Sequence, residues 1–403
     1  MKILLINAYS VNNRGDAGIV VSTINQIKKN NPASQITVMS SYHNENINFY
    51  ENYNVKSVNN IWTLTPTKST IRKYLEGFLI LNRLFLKKEV DNSKYYKEAD
   101  LVISVGGGYL YSSKKGPLGL GLVNALFHVW LAKVYDKKIV CFPQSVGPLN
   151  HKLDYLLTKK ILKDVEMFYS REEKTTNLLK KMKMKKVKEI SDIGFVLSSI
   201  ENSFEVDSNK LNLGITVMDW QFARRNSTED DVTNYLNKLK WVIDELKKKY
   251  INLNVYIFPQ VTVGEGDSDY FQSKRLYEGL NFEEKHLIDL SKQAKGPEHL
   301  VSMYGKMNLF IGSRMHSTIF SLASNTPTVA LSYQPKTTGT FNRLGLAEYV
   351  YDIKDFNKEH LFETLDGLIS GKKQYNFSNL KTAQLEIESE VKKTMINLRN
   401  EYV

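Results

Sequence analysis

The sequence predicts an α/β protein made of two Rossmann-like, doubly wound parallel-sheet domains. Three observations lead there. Short apolar runs alternate with helix-length amphipathic segments from end to end, the pattern of strands joined by helical crossovers. That alternation breaks at residues 198–210, SSIENSFEVDSNK, and then restarts. The 403 residues also exceed the about 250–300 that a single core usually spans. The expected layout is a first domain over 1–197, a linker over 198–210 and a second domain over 211–375. A terminal helix in 376–403 is placed to pack back on the first domain. Two such sheets would face a central cleft at their carboxyl ends, where doubly wound sheets take their ligands.

Each element is read from an apolar run or a helical period bounded by turn residues. In the first half, strands are expected at 3–8, 36–40, 101–105, 139–143 and 167–170, and 193–197 closes the apolar pattern. Helices fall near 18–29, 68–88, 120–135, 153–163 and 172–182. After the linker, strands are expected at 213–218, 255–259, 286–290, 309–312, 328–332 and 349–353, with helices over 230–250 and 379–402.

Hydrophobic residues make up 42% and charged residues 24%, which excludes wholesale disorder and a collagen-like chain. Cys141 is the single cysteine, so neither an intrachain disulfide nor a cysteine-based zinc site is available, and a reducing compartment fits. The opening MKILLINAYS reads as a buried strand and not as a signal peptide. No run approaches the about 18–20 apolar residues of a membrane span. The expected location is cytoplasmic, with peripheral contact on the inner face of the plasma membrane left open.

Charge points to an anionic partner. Lys and Arg number 55 against 43 Asp and Glu, a net +12. Residues 151–190 hold twelve basic and six acidic side chains, densest in KKMKMKKVK at 180–188. This segment reads as a solvated helix end or as a face for anionic lipid or a phosphate-bearing acceptor. No nucleic-acid-binding signature accompanies it, so nucleic acid is not expected as a partner. The apolar stretch 75–86, flanked by Arg72, Lys73, Lys87 and Lys88, is too short to span a bilayer. It packs as a core helix or lies on a membrane surface.

The residues that follow strands carry the chemistry. After the first strand comes YSVNNRGDAG, in which Asn13, Gly15 and Asp16 either meet a ligand at a helix N-terminus or, for Asp16, simply cap it. Gly106, Gly107, Gly108 and Tyr109 follow the 101–105 strand, and three glycines allow close backbone approach by a ligand. In FPQSVGP, Gln144 and Ser145 can exchange hydrogen bonds with hydroxyl groups. Arg171, in SREE, is either an anion fork or a partner for Glu172 or Glu173. In the second half, Gln260 follows a strand, and GSRMHS places Ser313, Arg314 and His316 at a strand–helix junction. Arg314 supplies a fixed positive fork, and His316 can give and take a proton near neutral pH. Lys336, in SYQPK, is a further cation or a solvated loop lysine. His128, among apolar residues, reads as packed, and Asp267-Ser268-Asp269 as a helix cap. Scattered histidines give no metal site, and neither a GxSxG elbow nor a Walker A sequence occurs.

Taken together, the GD turn, GGG, FPQSVGP, SREE, Asp192-Ile193-Gly194, SRMHS and SYQPK resemble the polysaccharide pyruvyl transferase family, in family order over more than three quarters of the chain. The resemblance implies a glycosyltransferase-B-like fold. It implies transfer of the pyruvyl group of phosphoenolpyruvate to a sugar as a ketal, with donor residues in the second domain and acceptor residues in the first. Arg314 and His316 match the family's catalytic Arg-x-His pair, and Arg171 matches its donor-binding arginine. Ser313, Lys336 and Gln260 join Arg171 and Arg314 on the donor; Asn13, Gly15, Asp16, Gly107, Gly108, Tyr109, Gln144 and Ser145 go to the acceptor. The insertion around 47–88 leaves the acceptor sugar open, whether lipid-diphosphate-linked or polymeric. Phosphoenolpyruvate carries a phosphate and a carboxylate, which Arg171, Arg314 and Lys336 can neutralise. No metal or cofactor is required. The alternatives are a nucleotide-sugar glycosyltransferase on the same fold, for which Asp352 and Asp355 are the available ribose partners, and a non-catalytic partner in polysaccharide assembly.

Overall fold

A computed structural model of the chain describes residues 1–64, 69–221, 227–264 and 267–400. The first position of the expected helix 68–88 and the last two of 379–402 lie outside the described residues. The chain divides into two compact units. One comprises Met1–Val11, Ile19–Ile193 and the residues from Glu386 onward; the other comprises Asn12–Gly18 and Gly194–Leu385.

The first unit holds a parallel sheet of β1 (Lys2–Ala8), β2 (Gln35–Ser40), β3 (Lys56–Asn59), β4 (Leu101–Ser104), β5 (Gly107–Leu110), β6 (Ile139–Val146), β7 (Met167–Ser170) and β8 (Val187–Glu189). Their order is β3-β2-β1-β4-β6-β7-β8, with β5 paired to β6. Ile3 pairs with Ile36 on one side and with Leu101 on the other, and Ile3–Ile6 are buried. That two-sided burial is what a parallel sheet covered by crossover helices demands of its central strand. The order reverses between β1 and β4, which sets the switch point at their carboxyl ends. Asn7 takes a left-handed φ of 64° there, and its Nδ2 donates to Ser104 Oγ at 3.1 Å and to Ala125 O at 3.3 Å.

Three strands of this sheet escape the sequence reading because they are only three or four residues long and lack an apolar run: KSVN, GGYL and VKE. Residues 193–196 form a 3₁₀ turn and not a strand. Gln144, Ser145 and Val146, expected to lie past the end of the strand 139–143, continue β6, every residue of which is buried. Pro143 is tolerated because the register against β7 shifts between Cys141 and Gln144, the kind of irregularity where a strand accepts proline.

The helix Leu120–Val134 is apolar on most faces and sits in the core, with Phe127 edge-on to Trp62. His128 is fully buried there, its Nδ1–H donating to the Asn124 carbonyl at 2.9 Å, while Nε2 has no hydrogen-bond partner among the described residues. The helix Thr70–Phe85 meets the same core along one face. Its Gly77 lies so close to Trp62 that a Cβ would fall 2.6 Å from Cζ2, and Trp62 Nε1 donates to Lys73 O at 2.9 Å. Ile80, Leu81 and Leu84 pack inward. The core-helix reading of 75–86 therefore holds for one face and fails for the other, which is exposed. No described helix is long and apolar enough to cross a membrane.

In the second unit a six-stranded parallel sheet comprises β9 (Leu211–Thr216), β10 (Leu253–Ile257), β13 (Lys285–Leu287), β14 (Leu309–Gly312), β15 (Thr328–Ser332) and β16 (Val350–Asp352). Its order is β13-β10-β9-β14-β15-β16, so the switch point falls between β9 and β14. A small antiparallel ribbon, β11 (Thr262–Gly264) and β12 (Asp267–Ser268), stands beside it in the chain. The helix Glu229–Lys249 opens with a capping box between Thr228 and Asp231 and carries Lys247–Lys249 in its last turn, each placed to favour the helix dipole.

Burial holds the His128 imidazole neutral, its pKa pushed from 6.5 down to about 4. The unfolded chain takes up a proton below 6.5 and the folded chain does not, so stability is lost as pH falls from 6.5 towards 4. A difference of that size corresponds to up to about 3 kcal/mol. Denaturant titrations at stepped pH should show this acid-side loss, and His128→Met should remove it; an unchanged profile in the variant would assign the loss to other groups.

Candidate active site

At the second switch point, β14 ends at Gly312 and the chain turns directly into the helix Met315–Ala323. A Cβ on Gly312 would lie 2.3 Å from Thr318 Cγ2, so only glycine lets the helix start this close to the strand. Ser313 N–H donates to the Thr216 carbonyl at 3.1 Å, and Ser313 Oγ lies 2.7 Å from Tyr235 Oη. Ser313 thus fixes the strand end from a buried position.

Arg314 is the N-cap residue, with extended backbone, and its side chain turns to Asp269. Nε and Nη2 both donate to Asp269 Oδ1, at 3.0 and 2.6 Å, and Nε also reaches Oδ2 at 3.2 Å. Asp269 Oδ2 in turn accepts the Val261 N–H at 3.0 Å. Asp269 does precede the helix Tyr270–Gly279, but its side chain makes no capping bond. The carboxylate is spent on Arg314, so the cap expected from Asp267-Ser268-Asp269 is not what this residue does.

His316 is the second residue of the same helix, in its first turn. Its ring faces Gly15, where a Cβ would fall 2.4 Å from His316 Nδ1, and stacks loosely on Phe320 at 6.2 Å. Gly18 faces Phe320 in the same way, with a Cβ 2.3 Å from its Cζ. Two glycines three apart thus receive two aromatic rings four apart, and the segment Asn12–Gly18 packs against the helix that carries His316. The same segment reaches the loop after β10. Thr262 N–H donates to Asn12 O at 3.0 Å, and Arg14 Nη1 donates to Thr262 Oγ1 at 3.0 Å. Burial lowers the Arg14 pKa from its ordinary value, and Tyr304 and Asp289 partly oppose that. Tyr304 Oη donates to Gln260 Oε1 at 2.9 Å, and both residues are buried. Lys336 is partly buried in the first turn of the helix Pro335–Arg343, which follows β15, the strand beside β14.

The first-half residues of the expected acceptor set are placed differently. Asn13 Oδ1 accepts the Asp16 N–H at 3.3 Å, and Asn13 Nδ2 donates to Asp16 Oδ2 at 2.8 Å. Their polar atoms close the start of the helix Arg14–Asn30 reciprocally, and they do so in the second unit. Gly15 makes room for His316. Gly107 adopts a φ of 131°, where a side chain would be strained, and opens β5 with Gly108. Tyr109 Oη turns back to Val105 O at 2.6 Å and Ser104 Oγ at 2.8 Å.

Arg171, after β7, is buried at 1% side-chain exposure against a fully buried Asp192, with Nη1 2.5 Å from Oδ2. Its Nε donates to Ser145 Oγ at 2.8 Å, and Ser145 donates to Glu172 Oε2 at 2.8 Å. Glu172, the partner named from sequence, lies 4.0 Å from Nε. Arg171 Nη2 and both ends of the buried Gln144 amide have no hydrogen-bond partner among the described residues. Among those residues no cluster of three His, Cys, Asp or Glu side chains could hold a metal ion.

Sequence reasoning missed Arg14 and Asp269. Arg14 stood within the quoted turn but gave no sign of which unit it joins. Asp269 looked like any aspartate before a helix; its partner lies 45 residues on.

Two parallel doubly wound sheets, with polar and charged side chains gathered where their strands end, define a glycosyltransferase-B-like protein. Solved structures agree on the fold. UDP-GlcNAc 2-epimerase from Neisseria meningitidis, bound to UDP-GlcNAc, is similar at TM-score 0.63 and 14% identity, covering 98% of this chain and 100% of that one. The epimerase of Methanocaldococcus jannaschii is similar at TM-score 0.56 and 12% identity over 96% and 98%. Anabaena Alr3699/HepE in complex with UDP-glucose gives TM-score 0.57 and 10% identity over the whole of both chains. In sequence, the amylovoran biosynthesis protein AmsJ of Erwinia amylovora is 21% identical over 400 residues, 92% of each chain. The chain belongs to the polysaccharide pyruvyl transferase family, which it matches over residues 13–335. It is accordingly a transferase of polysaccharide biosynthesis.

Removing one member of a buried ion pair strands the other, at about 3–5 kcal/mol. Arg171→Ala should therefore lower stability by that amount in denaturant titrations, and Arg171→Ala with Asp192→Leu should regain part of it. A single variant as stable as the parent would show that the pair contributes nothing.

Proposed function

We propose that the protein transfers the pyruvyl group of phosphoenolpyruvate to a sugar of a cell-surface polysaccharide or its lipid-linked precursor, forming a pyruvate ketal and releasing phosphate. The observation that carries this reading is the Arg314–Asp269 pair, two residues before His316, at the second switch point of a family member. Asp269 orients the guanidinium, and an oriented guanidinium suits a phosphate or carboxylate. Arg314, Lys336 and Arg14 are assigned to the donor's two anionic groups. Ser313 and Gln260, whose polar atoms are engaged by Tyr235 and Tyr304, position that set. Arg171 leaves the donor set, because Asp192 and Ser145 already hold it. Gln144 is assigned to acceptor hydroxyls, since a buried amide without partners is costly, about 1–3 kcal/mol per group, until something meets it.

The reaction asks for proton transfers and no redox change. Protonation of the vinyl carbon turns the methylene into a methyl group and leaves an oxocarbenium-like centre at the adjacent carbon. A sugar hydroxyl attacks that carbon and loses its proton. A second hydroxyl then adds as the carbon–oxygen bond to phosphate breaks; phosphate leaves with the electron pair and takes up the proton of that second hydroxyl. His316 is assigned to give the first proton and take up one released by a hydroxyl. Arg314 steadies the charge on the departing phosphate.

Phosphate release from phosphoenolpyruvate across a panel of acceptor sugars, with mass measurement of the product, tests the reaction. Sugar transfer from a nucleotide sugar, with no phosphate released from phosphoenolpyruvate, would replace it by the glycosyltransferase alternative. Binding and chemistry should then separate. Arg314→Ala or Arg14→Ala should weaken phosphoenolpyruvate binding by about 10- to 150-fold. His316→Asn should bind the donor with little loss yet turn over about 10²–10⁴-fold more slowly. Calorimetry with the donor alone, beside steady-state phosphate release, reads the two effects; near-normal turnover in His316→Asn would move the acid elsewhere.

A further inference from the structure

The helix Thr70–Phe85 has two apolar faces, and the core uses one. Seven of the eighteen exposed large hydrophobic side chains among the described residues lie within 71–86. Ile71, Leu75, Phe78, Leu79, Phe85 and Leu86 recur at three- and four-residue spacing and fall in an arc of about 120°. Ile71, Phe78 and Phe85, one turn-pair apart, are 74%, 67% and 78% exposed. The opposite arc holds Gly77, Ile80, Leu81 and Leu84, which pack against the core. Scattered exposed leucines need no explanation, but a contiguous stripe of this size does.

Charge frames the stripe. Residues 69–88 carry five basic side chains and one acidic one, Glu76. Arg72 and Arg83 border the exposed arc, and Lys87 and Lys88 stand exposed at its carboxyl end. The loop beside it extends the surface: Tyr74 Oη donates to Leu118 O at 2.9 Å, and Leu118, Tyr111 and Lys115 are exposed. Buried Asp154 holds that loop by accepting the Leu118 N–H at 2.7 Å and Ser112 Oγ at 2.6 Å. Gly77 on Trp62 and the hydrogen bonds of Asp154 anchor the surface to the rest of the first unit.

We propose that this face is a docking surface for an anionic lipid bilayer, with the helix lying in the plane of the headgroups. An apolar stripe bordered by cations is the arrangement that buries side chains among acyl chains and leaves arginine and lysine at phosphate level. A second copy of the chain fits less well, because a symmetric contact would bring two strongly basic stripes face to face. The surface belongs wholly to the first unit and does not depend on the donor chemistry proposed above.

Flotation of the full chain with vesicles tests the proposal. Binding to vesicles of phosphatidylcholine with phosphatidylglycerol is expected at low salt, weaker at high salt, and weaker still to phosphatidylcholine alone. Phe78→Asp with Leu79→Asp should reduce binding by more than about 100-fold. Arg72→Ala with Arg83→Ala should reduce it by about 30-fold on anionic vesicles only. Both pairs are exposed, and unchanged thermal melts would confirm intact folding. Phosphate release with a soluble acceptor should be the same in the parent and both variants, which separates failure of this surface from failure of the donor assignment. No binding at low salt, equal binding by the Asp variant, or a dimer in sedimentation that the Asp variant dissolves would overturn the proposal.

Discussion

A guanidinium taken out of water has to meet a carboxylate, and this requirement shapes the strand ends of both sheets. At the end of β14 the answer is Asp269, delivered from another part of the second unit; at the end of β7 it is Asp192, from beyond β8. The two pairs look alike but are set differently. Asp269 takes two nitrogens of one edge of Arg314 at once, which fixes the plane of the guanidinium beside the start of the helix that bears His316. Asp192 takes one nitrogen of Arg171, Ser145 another, and the pair locks the ends of β6 and β7 together. The desolvation cost of such pairs is generally not recovered as stability. Their value here is orientation.

Orientation also explains the glycines. Gly312, Gly15 and Gly18 each stand where any side chain would collide with a neighbour within 2.4 Å. Gly312 brings the helix of His316 down onto its strand, while Gly15 and Gly18 bring a second helix start alongside it. The imidazole is then bounded by backbone on one side and by Phe320 on the other. These two contacts, with Gly15 and with Phe320, set the plane of the ring. In the GD turn, which in sequence suggested a ligand contact or a helix cap, Gly15 serves this packing and Asn13 and Asp16 close the helix start reciprocally.

Much of the fold was legible because parallel strands buried on both faces are written as apolar runs. β1, β4, β7, β14 and β15 could be read directly, and so could the helices between them. The short edge strand β8 and the paired segment β5 could not, since VKE and GGYL bury too little to leave a pattern. The strand-end chemistry was half legible. Arg314 and His316 announce themselves by following a strand, whereas Asp269 and Arg14 acquire their roles through partners distant in the chain. For Arg171 local sequence offered Glu172 and Glu173; Glu172 does lie 4.0 Å from Nε, but the closer partner, Asp192, is supplied by the fold. The exposed stripe of Thr70–Phe85 was visible as hydrophobicity, but only burial tells which of its two faces the core had claimed.

The seven residues Asn12–Gly18 are made long before the residues they pack against. Arg14 and Thr262, which share a hydrogen bond, are 248 positions apart, and Gly15 waits for His316, later still. On a ribosome, the first sheet can assemble while this segment has no surface to lie on, because domains fold broadly in the order they emerge. Completion of the second unit thus waits until synthesis has passed residue 316. A truncated product stopping before residue 316 would hold a folded first sheet and an unoccupied helix start. The same arrangement means that residues 194–385 cut out as a fragment would lack Arg14 and the glycine cradle of His316, so the second unit is not a portable module even though nearly all of it is continuous in sequence.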